Sequence, residues 1–379
     1  MKKSNTNNPI GLYIHIPFCK AKCPYCDFYS SCGQEENFEE YIRSLKKAFE
    51  VWAAKVAGPV DSIYFGGGTP SLIGSDRLAK LTSKAKEAFN KNGEEIREIT
   101  AECNPSDTGG EKSEFDFENL ATAGVNRISL GLQSALDSER KALGRIAGSK
   151  EAERAVKKAK AAGIENISLD LMLAIPGQNK DSLKASIDFC AKVGAKHISA
   201  YILKIEEGTP FAKVKDNLNL PDEDETAEIY LFAAEKLEEY GFKQYEISNF
   251  ALPGYECFHN LKYWNCEEYL GLGPTAHSFI SGKRFFFPAD TNYFIDGQEP
   301  IDDGRGGEFE EYAMLRLRLT EGISEKDTIK RFGHGFPESM IRKAKDLSST
   351  ELLDFTGDTI SLTPKGFLLS NSIISELLS

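Results

Sequence analysis

LYIHIPFCKAKCPYCDFYS, residues 12–30, is the stretch on which the reading of this chain turns. It opens with LYIHI (12–16), a short apolar and aromatic run that reads as a strand. An amphipathic stretch, FEEYIRSLKKAFEVWAAKV (38–56), follows, and then a second apolar run, SIYF (62–65). The alternation continues through EITAE (98–102), RISLG (127–131), ISLDL (167–171) and HISAY (197–201). Helical patterns such as RLAKLTSKAKEAF (77–89), EAERAVKKAKAA (151–162) and SLKASIDFCAKV (182–193) lie between them. Near-continuous apolar strands separated by such helices predict βαβ units and a parallel sheet. Six right-handed units make an α/β fold, either a partial (β/α)6 barrel or an open doubly wound sheet. In both, the site sits at the C-terminal ends of the strands.

Beyond this alternation, EDETAEIYLFAAEKLEEY (223–240) reads as a further helix. Residues 241–300 read as irregular and aromatic-rich, and DDGRGGEF (302–309) as a linker or loop. Helices are expected at 310–319, 325–332 and 337–347, then a hairpin in LLDFTGDTISLT (352–363). A last helix should begin behind Thr363 as cap, with Pro364 in its first turn. Helices with a small hairpin suggest a winged-helix-like module. The expected division is a barrel over 1–240, an extension over 241–305 and a C-terminal domain over 306–379.

The charge balance narrows the function. The 379 residues carry 58 Asp+Glu against 46 Lys+Arg, net −12, which argues against a nucleic-acid partner. The start MKKSNTNNPIG has no apolar run after its lysines, and nowhere do about 18 apolar residues follow one another. A cytoplasmic protein is expected, with its eight cysteines mostly reduced.

Three of those cysteines crowd into eight residues: Cys19, Cys23 and Cys26, as C-x3-C-x2-C directly after the first strand. A closed structural zinc site wants four ligands. A 4Fe-4S cluster held by three thiolates keeps one iron open. An open iron can chelate the amino and carboxylate groups of S-adenosylmethionine, and an electron passed to the sulfonium then breaks a C–S bond. The bland alternative is a zinc knuckle with Cys32 or His15 as fourth ligand.

Polar residues recur at the strand ends. SIYFGGGTPS places Gly66, Gly67 and Gly68 after the second strand, where backbone groups can approach a ligand closely. Glu102 ends the third strand, Gln133 the fourth, Arg145 follows in LGR, and Asp170 lies near the end of the fifth. Glu102 could accept from an amino group, Arg145 could fork onto a carboxylate, and Asp170 could take ribose hydroxyls. Singly, each is as well read as a structural hydrogen bond or surface charge; their recurrence at consecutive strand ends favours a shared site.

YIHIPFCKAKCPYCDF, YFGGGTPSLI, ECNP, GVNRISLGLQS, LGR, DLMLAIPGQ and HNLKYW, in that order, resemble the radical S-adenosylmethionine family of HemN and HemW over nearly the whole chain. The resemblance implies a partial (β/α)6 TIM-like barrel of the radical SAM type with a C-terminal helical, winged-helix-like domain. It implies Cys19, Cys23 and Cys26 as cluster ligands. It implies Tyr13, Tyr25, Gly66, Gly67, Gly68 and Glu102 around S-adenosylmethionine, with Gln133, Arg145 and Asp170 lining the same site or a second one. The family often carries a His after LGR, where this chain has Ala147.

Two local features resemble the HemW branch: Asp27-Phe28 after Cys26, and HNLKYW, a motif associated with heme in that branch. They imply heme as cargo, with His259, Tyr263 and Trp264 as its contacts beside Asn260, and delivery to acceptor hemoproteins. His277 is a competing iron ligand, and without the resemblance His259 reads as a structural histidine. A reductant or heme donor protein and a second copy of the chain are further partners in this reading. The expectation is a heme chaperone without coproporphyrinogen oxidase activity. The alternative is an oxygen-independent coproporphyrinogen III dehydrogenase that decarboxylates propionate side chains.

Overall fold

The computed structural model describes residues 8–32, 35–90, 93, 95–145 and 147–379; the N-terminal stretch 1–7 and Ile146 of LGRIAGS lie outside them. The six expected strands form in order: β1 (Ile10–Ile16), β2 (Val60–Gly67), β3 (Glu98–Cys103), β4 (Arg127–Gln133), β5 (Asn166–Leu173) and β6 (His197–Ile202). Each pairs in parallel with the next. Helices α1 (Glu35–Lys55), α2 (Ser75–Phe89), α3 (Phe117–Ala123), α4 (Ser149–Ala161), α5 (Lys180–Val193) and α6 (Glu223–Glu239) connect or follow them.

Local chemistry sets the helix ends. Asn179 caps α5 by accepting the Ser182 N–H, and the helix stops at Gly194, which turns left-handed at φ +76°. Asp222 and Glu225 form a capping box at the start of α6.

The strands alternate more strictly than continuous apolar runs would. Leu12, Ile14 and Ile16 of β1 are fully buried and share one core with Tyr41, Leu45 and Phe49 of α1. Each such side chain contributes about 1.5–3 kcal/mol. The other face is polar: Tyr13 and His15 on β1, Ser62 and Tyr64 on β2, Thr100 and Glu102 on β3, Ser129 on β4, Asp170 on β5 and Ser199 on β6. Tyr13 meets His15, Tyr64 donates to Glu102 and Ser129 donates to Asp170 on this face, so the lumen is polar and the core lies between strands and helices.

Residues 241–305 differ from the irregular segment expected. They extend both edges of a twelve-stranded sheet. β7 (Lys243–Glu246) and β8 (Asn249–Ala251) add to β6, with β8 antiparallel to it. After helix α7 (Phe258–Trp264), the chain crosses to the other edge. There β9 (Tyr269–Leu272) lies parallel to β1, and β10 (His277–Ile280), β11 (Lys283–Phe286) and β12 (Ile301–Arg305) follow antiparallel. β12 occupies part of the segment read as a linker. Its side chains are exposed, so it has no apolar alternation to betray it.

The C-terminal part is as expected in kind: α8 (Phe309–Arg316), β13 (Ile323–Ser324), α9 (Glu325–Phe332), α10 (Glu338–Leu347) and a hairpin of β14 (Leu353–Phe355) and β15 (Thr359–Leu362). Thr363 caps the next helix, accepting the Gly366 N–H at 3.1 Å. The expected last helix is two, α11 (Pro364–Leu368) and α12 (Ser370–Leu378), broken at Leu369.

Candidate cofactor site at the barrel mouth

The cysteine loop leaves the C-terminal end of β1. Phe18–Cys19 pairs in parallel with Ser31–Cys32, which closes the loop on itself and sets Cys32, exposed, opposite Cys19. Cys19, Cys23 and Cys26 are half-buried. The Cys19 sulfur is 3.5 Å from Thr69 Oγ1, and Arg145 Nη1 is 3.5 Å from the Cys23 sulfur. Burial and the Cys23 and Cys19 thiols raise the Cys26 pKa, against the pull of Lys22. Three thiols on one loop with a guanidinium beside them suit a ligand set carrying net negative charge.

A tetrahedral zinc ion holds its sulfurs about 4 Å apart. Among the described residues no three His, Cys, Asp or Glu side chains are gathered as a single metal ion requires. Three cysteine thiols on one loop match the donor set of a cluster held by three thiolates with one iron left open. His15 is no fourth ligand. Its Nδ1 meets the Tyr13 hydroxyl and its Nε2 the Tyr29 carbonyl, each at 3.1 Å, and burial pushes its pKa down to about 4.

The glycine triplet lets β2 end against β1. A Cβ on Gly67, which sits at φ +114°, would fall 2.6 Å from the His15 ring, and one on Gly68 2.6 Å from the Phe18 carbonyl oxygen. A Cβ on Gly66 would crowd Tyr13, Tyr64 and the Glu102 carboxylate at 3.0–3.1 Å. Glu102 accepts from the Tyr64 hydroxyl at 2.8 Å and the Gly67 N–H at 3.2 Å. Burial pushes its pKa up to about 7, with the Asp170 charge adding to the rise.

The remaining expected residues stand around the same mouth. Gln133 takes a left-handed backbone, φ 66°, at an irregularity in the β4–β5 pairing. Arg145 donates to the Gly131 carbonyl at 2.8 Å and so ties the end of β4 to the cysteine loop. Asp170 accepts from Ser129 Oγ at 3.1 Å, and burial raises its pKa. The Tyr13 ring stacks on Tyr64, and the Tyr25 ring packs near Phe211 with centroids 6.1 Å apart.

Helix α7 lies at the opposite end. His259 is fully buried, its Nδ1 2.9 Å from Ser62 Oγ and its Nε2 2.8 Å from the Tyr263 hydroxyl. Burial, Lys262 and Arg127 push its pKa down to about 3. Glu98, the first residue of β3, accepts the N–H groups of Phe258 and His259 at 3.0 Å each. Lys262, 2% exposed, pairs with Asp61 at 2.9 Å and Glu267 at 3.2 Å. All these anchors sit at the N-terminal ends of the strands, so HNLKYW plugs the barrel base. Tyr263, Trp264 and Asn260 are half-buried there, and His277 stacks on Phe286 out on the sheet edge.

Sequence reasoning missed Tyr64, Thr69, Ser129, Glu98 and Arg127. Arg127 is 2% exposed, and its Nε and Nη1 have no hydrogen-bond partner among the described residues. Parity along the strands could have found several of them: Ser62-Tyr64-Gly66 and Arg127-Ser129-Gly131 share a face with residues already singled out.

A barrel of this order with a three-cysteine loop at its mouth defines a class, and sequence comparison agrees. Residues 13–190 match the radical SAM superfamily model and residues 308–369 the HemN C-terminal domain. The chain is 34% identical over 377 residues to heme chaperone HemW of Bacillus subtilis, covering 97% of this chain and 98% of that one. It is 33% identical to heme chaperone HemW of Escherichia coli, covering 98% of both. The solved coproporphyrinogen III oxidase (HemN) of Escherichia coli, a radical SAM enzyme, superposes with a TM-score of 0.82 at 20% identity, over 97% of this chain and 90% of that one. The chain belongs to the HemW family within the radical SAM superfamily.

Proposed function

We propose that this chain is a heme chaperone that carries a 4Fe-4S cluster and S-adenosylmethionine, binds heme and passes it to acceptor hemoproteins. The observation that carries this reading is the similarity to heme chaperones along essentially the full length of both chains. Cys19, Cys23 and Cys26 would hold the cluster. When bound, the cluster supplies an open iron and an electron to the sulfonium of S-adenosylmethionine.

The chain's own residues would orient the rest of that molecule. Ionised Glu102 accepts hydrogen bonds and suits the amino group, beside the backbone of Gly66, Gly67 and Gly68. Arg145 suits the carboxylate, and Asp170 with Ser129 the ribose hydroxyls. Gln133 lies at the edge of the same space, and Tyr13 and Tyr25 flank it. Helix α7 closes the base, since both ring nitrogens of His259 are already hydrogen-bonded.

The test is transfer. Anaerobically reconstituted protein, loaded with heme, should pass it to an apo-hemoprotein acceptor, read by the acceptor's Soret band. Absence of saturable heme binding would sink the proposal. The fold it shares with coproporphyrinogen III oxidase motivates a second assay. Decarboxylated product from coproporphyrinogen III, with reductant and S-adenosylmethionine, would replace the chaperone reading with the dehydrogenase one.

A further inference from the structure

Both ring nitrogens of His259 at the base are hydrogen-bonded within the protein, which points to the mouth as a seat for heme. Heme presents a broad apolar macrocycle and two carboxylates, and its site needs exposed apolar surface next to free cations. Four of the ten large apolar side chains left exposed among the described residues belong to the mouth: Phe28 at 66%, Tyr201 at 44%, Val214 at 42% and Ile202 at 37%. Phe28 is on the cysteine loop; the others lie at the end of β6 and in the segment that follows it.

These two segments are joined. The Phe211 N–H donates to the Pro24 carbonyl at 3.0 Å, and Lys204 is close enough to Asp27 for their charges to interact. Beneath them lies an apolar cluster separate from the main core, built on Leu143, Met172, Ile175 and Phe211. The cysteine loop, through Tyr25, and the segment after β6, through Leu203, Ile205 and Leu218, thus share a packed apolar footing. Lys20 and Lys22 stand exposed between the cysteines, with no ion pair among the described residues. In a chain of net charge −12, two unpaired lysines beside an exposed aromatic match an apolar dianion.

We propose that heme docks on the cysteine-loop rim of the barrel mouth, with Phe28, Ile202 and Val214 against the macrocycle and Lys20 and Lys22 toward the propionates. This rests on the heme-chaperone reading and adds where the cargo sits. It places heme at the end of the barrel that carries the cysteine loop, opposite the end where α7 is anchored.

The experiment is a hemin titration of the full-length, cluster-reconstituted chain under anaerobic conditions, followed by the Soret band. Iron content and S-adenosylmethionine binding are measured on the same samples to show the site intact. Phe28→Ser should weaken hemin binding about tenfold, the worth of one buried aromatic side chain. Lys20→Glu with Lys22→Glu should weaken it about fivefold, less at high salt. Tyr263→Phe, which removes only the hydroxyl facing His259, should leave it within about twofold. Unchanged affinity in both rim variants overturns the proposal, and so does loss of binding confined to Tyr263→Phe. If charge reversal spares hemin and only slows reduction by an acidic electron-transfer protein, the rim is a reductant surface and the proposal falls. A parent chain that binds no hemin defeats the chaperone reading itself, and this inference with it.

Discussion

At the base of the barrel, Glu98 receives two N–H groups of α7, Ser62 and Tyr263 take both nitrogens of His259, and Lys262 is neutralised by Asp61 and Glu267. At the mouth, Lys20 and Lys22 stand without ion pairs among the described residues, Phe28 is exposed, and burial pushes the Glu102 pKa up to about 7. At the base, His259 and Lys262 of α7 are matched within the protein. The mouth keeps thiols, a guanidinium and carboxylates poised for something else. A polar network that satisfies itself stabilises; one left unmatched waits for a ligand. The heme-associated motif belongs to the first kind, and the cysteine loop to the second.

The comparison breaks most decisively at the cysteines. Cys19→Ala, Cys23→Ala or Cys26→Ala should each abolish cluster assembly, read as iron and sulfide per chain, whereas Cys32→Ser should retain it. Equal loss in Cys32→Ser would make that thiol a ligand and close the open iron.

Glu98→Ala should come next. It strips the Phe258 and His259 N–H groups of their acceptor and removes a charge that favours ionised Arg127, costing about 3 kcal/mol in denaturant unfolding. A loss below about 1 kcal/mol would mean the base network is less closed than its geometry says.

Glu102 supplies a pH test. Its folded pKa lies above its ordinary value, so below about 7 it is mostly neutral and carries an O–H donor, and only above that is it a charged, acceptor-only partner for an ammonium group. S-adenosylmethionine affinity should therefore rise between pH 5.5 and 7, by at most about tenfold per unit. Glu102→Gln should flatten that rise. A parent profile that is flat over this range would remove Glu102 from the amino-group role.

The smallest expected effect sharpens the contrast. Phe28→Ser should change unfolding stability by no more than about 0.5 kcal/mol, because the ring is mostly in water. A large loss would show the rim to be structural.

Much of this molecule is legible locally. The six parallel strands, the C-x3-C-x2-C loop, the Thr363 cap and the hairpin near residue 357 each follow from spacing, periodicity or turn chemistry within a dozen residues. β12 escaped because its side chains are all exposed and carry no period. Arg127 escaped because it lies inside an apolar run, and only its strand parity turns it into the lumen.

The sequence by itself determined the barrel's element order, the three-thiolate loop and the strand-end residues, because each is written within one βα unit. HNLKYW could be read as helix-forming and heme-associated, but nothing local said which end of the barrel it closes. That was decided by contacts such as His259 with Ser62 and with Glu98, 197 and 161 residues apart in the chain. Partners so distant leave no trace in local periodicity. Only the tertiary structure set His259, buried and hydrogen-bonded, at the base and left Phe28, Lys20 and Lys22 exposed at the mouth.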